Sequence, residues 1–169
     1  IERLLIHKSF LITNSKKAYL EFVRFMPDKY KSKMNYIYNG FDTNKFKPLP
    51  KEASDKIIVG NIGRIQYVKN QIQILRVINN LKNNNLVLFI VGEDGGEKVN
   101  IEKYIEDNKL SDRVRIISQQ KNIEEYYNKF DIFILSSRLE GCPNVLFEAM
   151  LCKCFCILSR DANSDDFVV

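Results

Sequence analysis

Five short apolar runs, each separated from the next by a segment with helical periodicity, constrain what this chain can fold into. The runs predict strands at 56–61, 86–91, 114–118, 131–135 and 155–159. The intervening segments predict helices at 70–81, 99–108, 123–130 and 144–151. Strands that alternate with helices form a parallel sheet with helices on both faces. The sequence therefore predicts an α/β fold with a Rossmann-like, doubly wound parallel sheet.

The first 41 residues differ in pattern from the rest of the chain. They predict short strands at 9–13 and 34–38 with a helix at 16–26 between them. Residues 42–55 are rich in Pro, Lys and Asp with little periodicity, which is typical of a linker. We divide the chain into the tail end of a preceding domain at 1–41, a linker at 42–55 and a main domain at 56–169, and expect it to be the interior of a longer protein. His7 fits a surface or packing role better than catalysis.

Composition excludes some classes of protein. The 169 residues are 45% hydrophobic and 28% charged, as in a globular protein with a substantial core. No apolar run reaches the roughly 18 residues of a membrane-spanning helix. The net charge of +5 could suit nucleic acid, but the basic residues are spread along the chain among 21 acids, so we expect no nucleic-acid partner. A modestly basic surface also suits nucleotide diphosphates or anionic lipid.

Four cysteines, Cys142, Cys152, Cys154 and Cys156, raise the question of a metal site. The last three alternate, so that on a strand they would point to one face, and the second ligand pair of a zinc site is absent. We expect buried thiols in a reducing cytoplasm and no bound metal.

The stretch 136–150, SSRLEGCPNVLFEAM, carries a pair of carboxylates around a predicted strand-to-helix turn. Glu140 lies in the polar turn, and Glu148 lies on the helix among apolar neighbours that make a carboxylate there unexpected. The start of a helix attracts anions, because its first N–H groups lack partners and the helix dipole is positive there. Carboxylates on both sides of such a turn fit a ligand with an anionic centre and hydroxyl-rich ends, which is the layout of a sugar nucleotide.

Four segments in order, NGFDTNKF, GRIQYVKN, IVGEDGG and DIFILSSRLEGCPNVLFEAM, resemble the retaining two-domain (GT-B) glycosyltransferases of family 4, also called glycosyl transferases group 1. The resemblance runs from about residue 11 to the last residue, and its strongest element is the pair Glu140 and Glu148, with seven residues between them. It implies the C-terminal, donor-binding half of a GT-B fold with a remnant of the N-terminal, acceptor-binding domain.

The resemblance also implies an activity. It implies a retaining hexosyl- or glycosyltransferase that moves a sugar from a nucleoside diphosphate to a glycan or lipid-linked acceptor in cell-surface polysaccharide biosynthesis. Arg64 and Lys69 match the cations that stabilise the leaving diphosphate, and Glu140 matches the carboxylate that holds the transferred sugar. Glu148 matches the carboxylate for the ribose hydroxyls, and the base would rest by 118–122. The remaining expected donor-binding residues are Gly63, Gly141, Pro143, Asn144 and Val145.

Further expectations concern partners and location. The nucleotide sugar is the substrate, and the absence of any Asp-x-Asp favours a mechanism without cofactor or metal. The missing N-terminal domain would supply the acceptor site, so we expect this chain to bind a nucleoside diphosphate and to transfer no sugar unaided. The resemblance implies a cytoplasmic location, with peripheral association at the inner face of the membrane left open.

Each expected site residue also has a plainer interpretation, and other functions stay open. Arg64 and Lys69 alone would fit a solvated loop edge, and Glu93 and Asp94 fit a plain turn. After residue 150 the chain departs from the family pattern, which favours a degenerate nucleotide-sugar-binding or scaffold domain as the alternative. The departures are Lys153 for Gly, Phe155 for Pro, Arg160 for Asp, Ala162 and Asn163 for glycines, and Asp166 for Glu. A dinucleotide-dependent oxidoreductase is disfavoured, because GNIGR lacks the G-x-G-x-x-G pattern.

Overall fold

The computed structural model describes residues 9–51, 53–81, 83–163 and 167. His7 and Asp166 lie outside these residues. Every predicted strand and helix is present, with ends that differ by up to three residues. In chain order they are β1 (Leu11–Thr13), α1 (Lys16–Phe25), α2 (Asp28–Lys31), β2 (Met34–Tyr36), β3 (Ile57–Ile62), α3 (Gln71–Asn80), β4 (Leu86–Val91), α4 (Lys98–Asp107), β5 (Val114–Ile117), α5 (Ile123–Tyr127), β6 (Ile132–Leu135), α6 (Asn144–Leu151) and β7 (Phe155–Leu158), with a 3₁₀ turn at Tyr67–Lys69. The short helix α2 was not predicted.

The larger sheet of the described chain has five parallel strands in the order β5-β4-β3-β6-β7. The chain enters at the central strand β3, moves outward to β5, and then crosses to β6 on the other side of β3. This reversal of strand order is the topological switch point of a doubly wound sheet, and ligands bind there beyond the carboxyl ends of the strands. The predicted α/β fold is confirmed, and it brings the loops after β3 and β6 together.

The strands β3 and β6 separate towards this end of the sheet. Their pairing register contains Val59 with Ile132 and Gly60 with Phe133, whereas β3 and β4 pair over all six residues of each strand. Beyond Gly60, the side chain of Asn61 donates a hydrogen bond to the carbonyl of Ile134 at 2.8 Å. A side-chain bond thus links the strands where they diverge, which leaves a crevice between the loops that follow them.

Apolar clusters cover both faces of the sheet. Along β4, Leu88 and Ile90 join one cluster, whereas Phe89 and Val91 contribute to the other, as the alternation of side chains along a strand requires. The first cluster includes Ile65, Ile74, Leu75, Ile78, Ile101 and Ile105, and the second includes Phe46, Tyr127, Phe130, Phe133 and Leu146. The loop residues that follow the strands are therefore held by a core on each side.

The N-terminal residues form a small separate sheet. Strands β1 and β2 pair in parallel, and Ser15 caps α1, its Oγ accepting a hydrogen bond from the amide of Ala18 at 3.2 Å. The segment predicted as a linker lies along α5, because Phe46 is buried against Tyr127 and the amide of Leu49 donates to Asn128 Oδ1 at 2.7 Å. Among the described residues, no helix is long and apolar enough to cross a membrane.

The structure after α6 differs from the prediction that Cys152, Cys154 and Cys156 would point to one face of a strand. Cys152 terminates the helix, Cys154 precedes β7 and only Cys156 of the three lies on a strand, so the shared strand face is not formed. The prediction of buried thiols holds for Cys142, Cys152 and Cys154, whereas Cys156 is half-buried. Burial raises the pKa of the Cys154 thiol to about 12, which keeps it protonated and unreactive.

Lys153, which replaces a glycine of the family pattern, adopts the left-handed conformation with φ 61°. The amides of Lys153 and Cys154 donate to the carbonyls of Met150 and Ala149, at 2.9 and 3.0 Å, which is the hydrogen-bond pattern of a Schellman motif. The backbone geometry that glycine favours is therefore kept, although a lysine adopts it at some conformational cost.

Candidate functional site

The loops after β3 and β6 are joined by hydrogen bonds. Ser136 Oγ lies 2.9 Å from the carbonyl oxygen of Lys69 and 3.0 Å from that of Asn70. The amide of Arg138 donates to the carbonyl of Val68 at 2.8 Å. Asn70 begins α3 in the left-handed conformation, which asparagine tolerates well, and its Nδ2 donates back to the carbonyl of Ser136 at 3.3 Å. The position of one loop therefore fixes the position of the other.

This junction brings together Lys69 and Glu140, which are predicted site residues 71 positions apart. Lys69 Nζ lies 2.5 Å from Glu140 Oε1, and Ser137 Oγ donates to the same oxygen at 2.6 Å. The side chains of Lys69 and Glu140 are only 22% and 11% exposed, and Ser137 is fully buried. Charge-assisted hydrogen bonds in such a partly dry setting are stronger than those at an open surface. Glu140 is therefore held in place before any ligand arrives.

Gly63 allows this arrangement at the end of β3. Its φ is +150°, a region that other residues rarely adopt, and a Cβ at this position would lie 3.8 Å from Lys69 Cε. The alkyl chain of Lys69 therefore passes over Gly63 on its way to Glu140. The structure places Gly63 beside the predicted cation.

Arg64, the other predicted cation, turns away from Lys69 and pairs with Glu93. Arg64 Nε and Nη2 lie 2.8 and 2.6 Å from Glu93 Oε1, and the two side chains are 57% and 48% exposed. The sequence suggested a plain turn at residues 93 and 94. Asp94 fits that role, because its carboxylate accepts from the amides of Gly96 and Lys98, whereas Glu93 faces the site.

Glycines after β4 let its loop lie against the loop after β3. A Cβ on Gly92 would stand 2.1 Å from the carbonyl oxygen of Gly63, and one on Gly95 would stand 2.6 Å from Cγ of Arg64. Backbone bonds close the contact, since the amide of Ile65 donates to Glu93 and the amide of Gly95 donates to Ile65, both at 2.8 Å. Gly92 and Gly95 of IVGEDGG are thus needed for the close approach of the loops.

A cavity of about 420 Å³ opens beside Arg64 at the carboxyl ends of β3 and β4. Its volume lies within the range of about 300–1,000 Å³ usual for small-molecule sites. Ile62, Val91 and Ile123 give it an apolar part, and Arg64 adds a cation. The other lining residues are Gly63, Gln66, Gly92, Glu93, Gln119 and Gln120. The last two belong to the segment 118–122, beside which the base was expected.

Glu148 lies half-buried on α6 and accepts a hydrogen bond from the hydroxyl of Tyr127 at 2.7 Å. Tyr127 is fully buried at the end of α5. Burial, together with the neighbouring Glu148 carboxylate, raises the pKa of Tyr127 well above its ordinary value, so the phenol keeps its proton and acts as a donor. The apolar neighbours of Glu148 in the sequence are thus explained by a helix that packs on the core, with the carboxylate anchored to a buried phenol.

The N-terminal segment reaches the start of α6. Asn39 Nδ2 donates to Asn144 Oδ1 at 2.6 Å, and Phe41 stacks on Phe147 with ring centroids 4.8 Å apart. A Cβ on Gly141 would lie 3.7 Å from Asn14 Oδ1. Pro143 precedes the first helical residue, and Asn144 and Val145 form the first turn. Of the predicted residues, Gly141 and Asn144 therefore lie at the junction between the N-terminal segment and the main unit, and Pro143 and Val145 lie beside them in the chain.

The sequence did not identify Ser137, Glu93 or Tyr127 as site residues. A signal existed for Glu93, which directly follows β4, the neighbour of β3 in a doubly wound sheet. A signal also existed for Tyr127, because a buried tyrosine needs a partner for its hydroxyl. Ser137 gave no signal, since a serine in a polar turn is unremarkable by sequence.

The described residues contain no group of three or more His, Cys, Asp or Glu side chains that could hold a metal ion. Cations suited to an anionic ligand are present instead: Lys69, Arg64 and Arg138. Arg138 lies with its guanidinium carbon 4.5 Å above the ring of Tyr67 and donates to Asn70 Oδ1 at 3.0 Å. The arrangement can therefore bind phosphate by side-chain charge.

The fold and the position of the site define a doubly wound α/β domain with a ligand site at its switch point. The family model described as glycosyl transferases group 1 matches residues 42–169, so the chain belongs to that family. Relatives include the amylovoran biosynthesis glycosyltransferase AmsD of Erwinia amylovora, 29% identical over 86% of this chain and 41% of AmsD. Another is the capsular polysaccharide biosynthesis glycosyltransferase CapH of Staphylococcus aureus, 31% identical over 90% of this chain and 42% of CapH.

A solved structure agrees with this assignment. The crystal structure of Anabaena HepE in complex with UDP and glucose aligns with a TM-score of 0.82 at 22% identity, covering 95% of this chain and 47% of HepE. At this level of identity the similarity establishes the fold. The chain spans about two fifths of the length of the curated relatives AmsD and CapH, which are 41% and 42% covered.

Proposed function

We propose that this chain is the donor-binding half of a retaining, family 4 glycosyltransferase that moves a sugar from a nucleoside diphosphate to a glycan or lipid-linked acceptor in cell-surface polysaccharide biosynthesis. Membership in glycosyl transferases group 1 supports the transferase chemistry. The names of AmsD and CapH, which refer to amylovoran and capsular polysaccharide biosynthesis, support the pathway class. The UDP and glucose bound to HepE support a nucleotide-sugar donor.

The observation that carries the proposal is the pair Lys69 and Glu140 at the switch point of the sheet. During transfer, the bond between the sugar C1 and the diphosphate breaks, and its electron pair stays on the phosphate oxygen. The acceptor oxygen bonds to C1, and its proton passes to the oxygen of the departing diphosphate. Negative charge therefore grows on the diphosphate, where fixed cations lower the barrier most effectively. Lys69 and Arg64 supply those cations.

The remaining predicted residues fit around the diphosphate. Glu140 would accept hydroxyls of the transferred sugar, and Glu148 would accept the ribose hydroxyls. The base would occupy the cavity of about 420 Å³ beside Gln119 and Gln120. Gly63, Gly141 and Pro143 would allow the backbone to approach the donor, and the amides at Asn144 and Val145 would add the favourable dipole of a helix start.

The acceptor side of the reaction belongs to the N-terminal domain that precedes this chain in a GT-B enzyme. We propose that the chain alone binds donor nucleotide without transferring sugar, that catalysis needs no metal, and that the enzyme works in the cytoplasm with peripheral association at the inner face of the membrane. Sugar transfer by the isolated chain, measured as nucleotide release with a glycan acceptor, would contradict this division.

Calorimetry on the isolated chain tests the donor site. We expect one of UDP, GDP and ADP to bind, and Lys69→Met or Glu148→Ala to weaken that binding. Lys103→Met is the matched control, since Lys103 is exposed on α4 away from the cavity. Binding that is insensitive to both site substitutions would refute the proposed site. Donor screening with the full-length protein then separates the enzyme from a scaffold, which would bind the nucleotide sugar and release no nucleotide.

A further inference from the structure

Tyr127 is a buried polar side chain for which the reaction above assigns no role. Its ring lies against Phe46, Phe130 and Phe133, with centroid distances of 6.0, 6.3 and 5.7 Å. Its carbonyl accepts a hydrogen bond from the thiol of Cys154 at 3.2 Å. Aromatic packing on several sides and a tethered backbone leave the ring one orientation.

The hydroxyl of Tyr127 points from this rigid setting to Glu148. It donates to Oε2 at 2.7 Å, and Tyr127 is the only side-chain partner that the described residues give to this carboxylate. A carboxylate with one oxygen fixed in this way retains acceptor capacity on its other oxygen, Oε1. The raised pKa of the phenol keeps the proton on Tyr127 across the ordinary pH range, so the direction of the hydrogen bond does not change.

A purely structural reason for this contact is weak. A buried phenol can be satisfied by a neutral backbone carbonyl, which avoids the cost of placing a carboxylate on an apolar helix. The neighbours of Glu148 on α6 are apolar, and Leu146 and Ala149 are fully buried. A charged partner for Tyr127 at this position therefore indicates that the carboxylate is used, and that the tyrosine sets where it points.

We propose that Tyr127 is a positioning residue that holds the Glu148 carboxylate for the ribose hydroxyls of the donor and thereby makes the site select ribonucleotides over deoxyribonucleotides. This inference rests on the proposed function, in which Glu148 receives the ribose. Tyr127 touches no ligand itself and acts through Glu148. The contact also links α5, which follows the segment expected beside the base, to α6, which carries the ribose carboxylate.

Tyr127→Phe tests the proposal, because it retains the packed ring and removes only the hydroxyl. Calorimetry is carried out on this chain with the nucleoside diphosphate that binds best and with its 2′-deoxy counterpart. We expect the parent to prefer the ribonucleotide about tenfold, the value of a hydrogen bond to a charged group. Tyr127→Phe should lose most of that preference while binding of the deoxynucleotide stays within about twofold of the parent.

Tyr126→Phe is the matched control, because it makes the same chemical change one residue earlier, at a half-buried ring outside the aromatic contacts of Tyr127. It should keep the full ribose preference. A thermal melt establishes that each variant is folded. Should Tyr127→Phe be unfolded at the assay temperature, the same comparison is made at a lower temperature at which the melt shows the variant to be folded.

The possible outcomes distinguish a failure of the inference about Tyr127 from a failure of the proposed donor-binding function. A parent chain that binds no nucleoside diphosphate overturns both. A parent that binds and prefers the ribonucleotide, with a folded Tyr127→Phe that keeps this preference, overturns only the inference. Equal weakening of both nucleotides in Tyr127→Phe also overturns it, because a merely structural tyrosine would act on both alike.

Discussion

The two ion pairs of the site, Lys69–Glu140 and Arg64–Glu93, differ in burial and in the loops that carry their carboxylates, although their cations are only five positions apart in the sequence. Lys69–Glu140 is mostly buried, its carboxylate accepts a further hydrogen bond from Ser137, and the pair lies where the loops after β3 and β6 are bonded together. Arg64–Glu93 is about half exposed and lies on glycine-rich loops. Exposed ion pairs contribute only about 0–1 kcal/mol, whereas buried pairs depend strongly on each partner.

This difference separates the tasks of the two cations. Lys69 is held in position by the protein, so little reorganisation is needed when charge develops on a diphosphate nearby. Arg64 can leave Glu93 at small cost, which suits a side chain that moves to a ligand after the ligand arrives. The comparison therefore predicts that changes at Lys69 affect both folding and chemistry, and that changes at Arg64 affect ligand binding and chemistry with little effect on folding.

Lys69→Met should have the largest effect. In the full-length transferase we expect sugar transfer, measured as nucleotide release, to fall about 100- to 1000-fold, the usual loss when one preorganised charge stabiliser is removed. The substitution also leaves Glu140 partly buried without its cation, so the free energy of unfolding of this chain should fall by about 1–3 kcal/mol, between the values for exposed and buried pairs. Lys103→Met should change neither quantity, and transfer within a few-fold of the parent would remove Lys69 from the chemistry.

Gly92→Ala should break the backbone contact between the loop after β4 and the loop after β3. The added Cβ would stand 2.1 Å from the carbonyl oxygen of Gly63, so the loop that carries Glu93 must move away from the loop that carries both cations. Overpacking of this kind costs about 1–3 kcal/mol, which urea unfolding would measure. Gly40→Ala is the control, because a Cβ there meets nothing within 4 Å. Unchanged stability and nucleotide affinity in Gly92→Ala would show that the loops adapt independently.

The sequence predicted the backbone of this site well because its signals are local. Alternating apolar runs define the strands, and the strand order of a doubly wound sheet places the turn after β6 beside the turn after β3. The resemblance to the family, in turn, implied that Lys69, Glu140 and Glu148 belong to one site. The positive φ of Lys153 also follows from a local rule about helix ends.

The partners of those side chains could not be predicted, because they depend on distances between elements that are far apart in the sequence. Arg64 was expected to serve the diphosphate together with Lys69, and its pairing with Glu93 was not predicted; it arises because the glycines after β4 bring that loop within contact of the loop after β3. Tyr127 looked like an ordinary core residue of a helix, and its hydroxyl reaches Glu148 only because α5 and α6 pack on the same face of the sheet. The periodicity of apolar residues predicts which face of a helix is buried, but it does not predict which residues of another element pack against that face.

Arg64→Ala should separate binding from stability. We expect the affinity of the chain for its nucleoside diphosphate to fall about tenfold, the loss of one charge-assisted contact with phosphate. The unfolding free energy should stay within about 0.5 kcal/mol of the parent, because an exposed pair contributes little. Calorimetry and urea unfolding measure the two quantities, with Arg24→Ala on α1 as the control. A drop in stability comparable to that of Lys69→Met would show that the two pairs play similar roles.

Glu93→Gln should have the smallest effect of these substitutions, and it should raise the affinity for the nucleoside diphosphate, whereas Arg64→Ala should lower it. Removing the charge releases Arg64 and lowers the negative potential beside the cavity, so we expect the nucleoside diphosphate to bind about two- to threefold more tightly at low salt. The gain should shrink at high salt, because the phosphates and the exposed Arg64 are screened. Calorimetry at low and high ionic strength measures this, with the exposed Glu106→Gln on α4 as the control. Weaker binding in Glu93→Gln would mean that Glu93 contacts the ligand directly, and the exposed pair would then be as much a part of the binding site as the buried one.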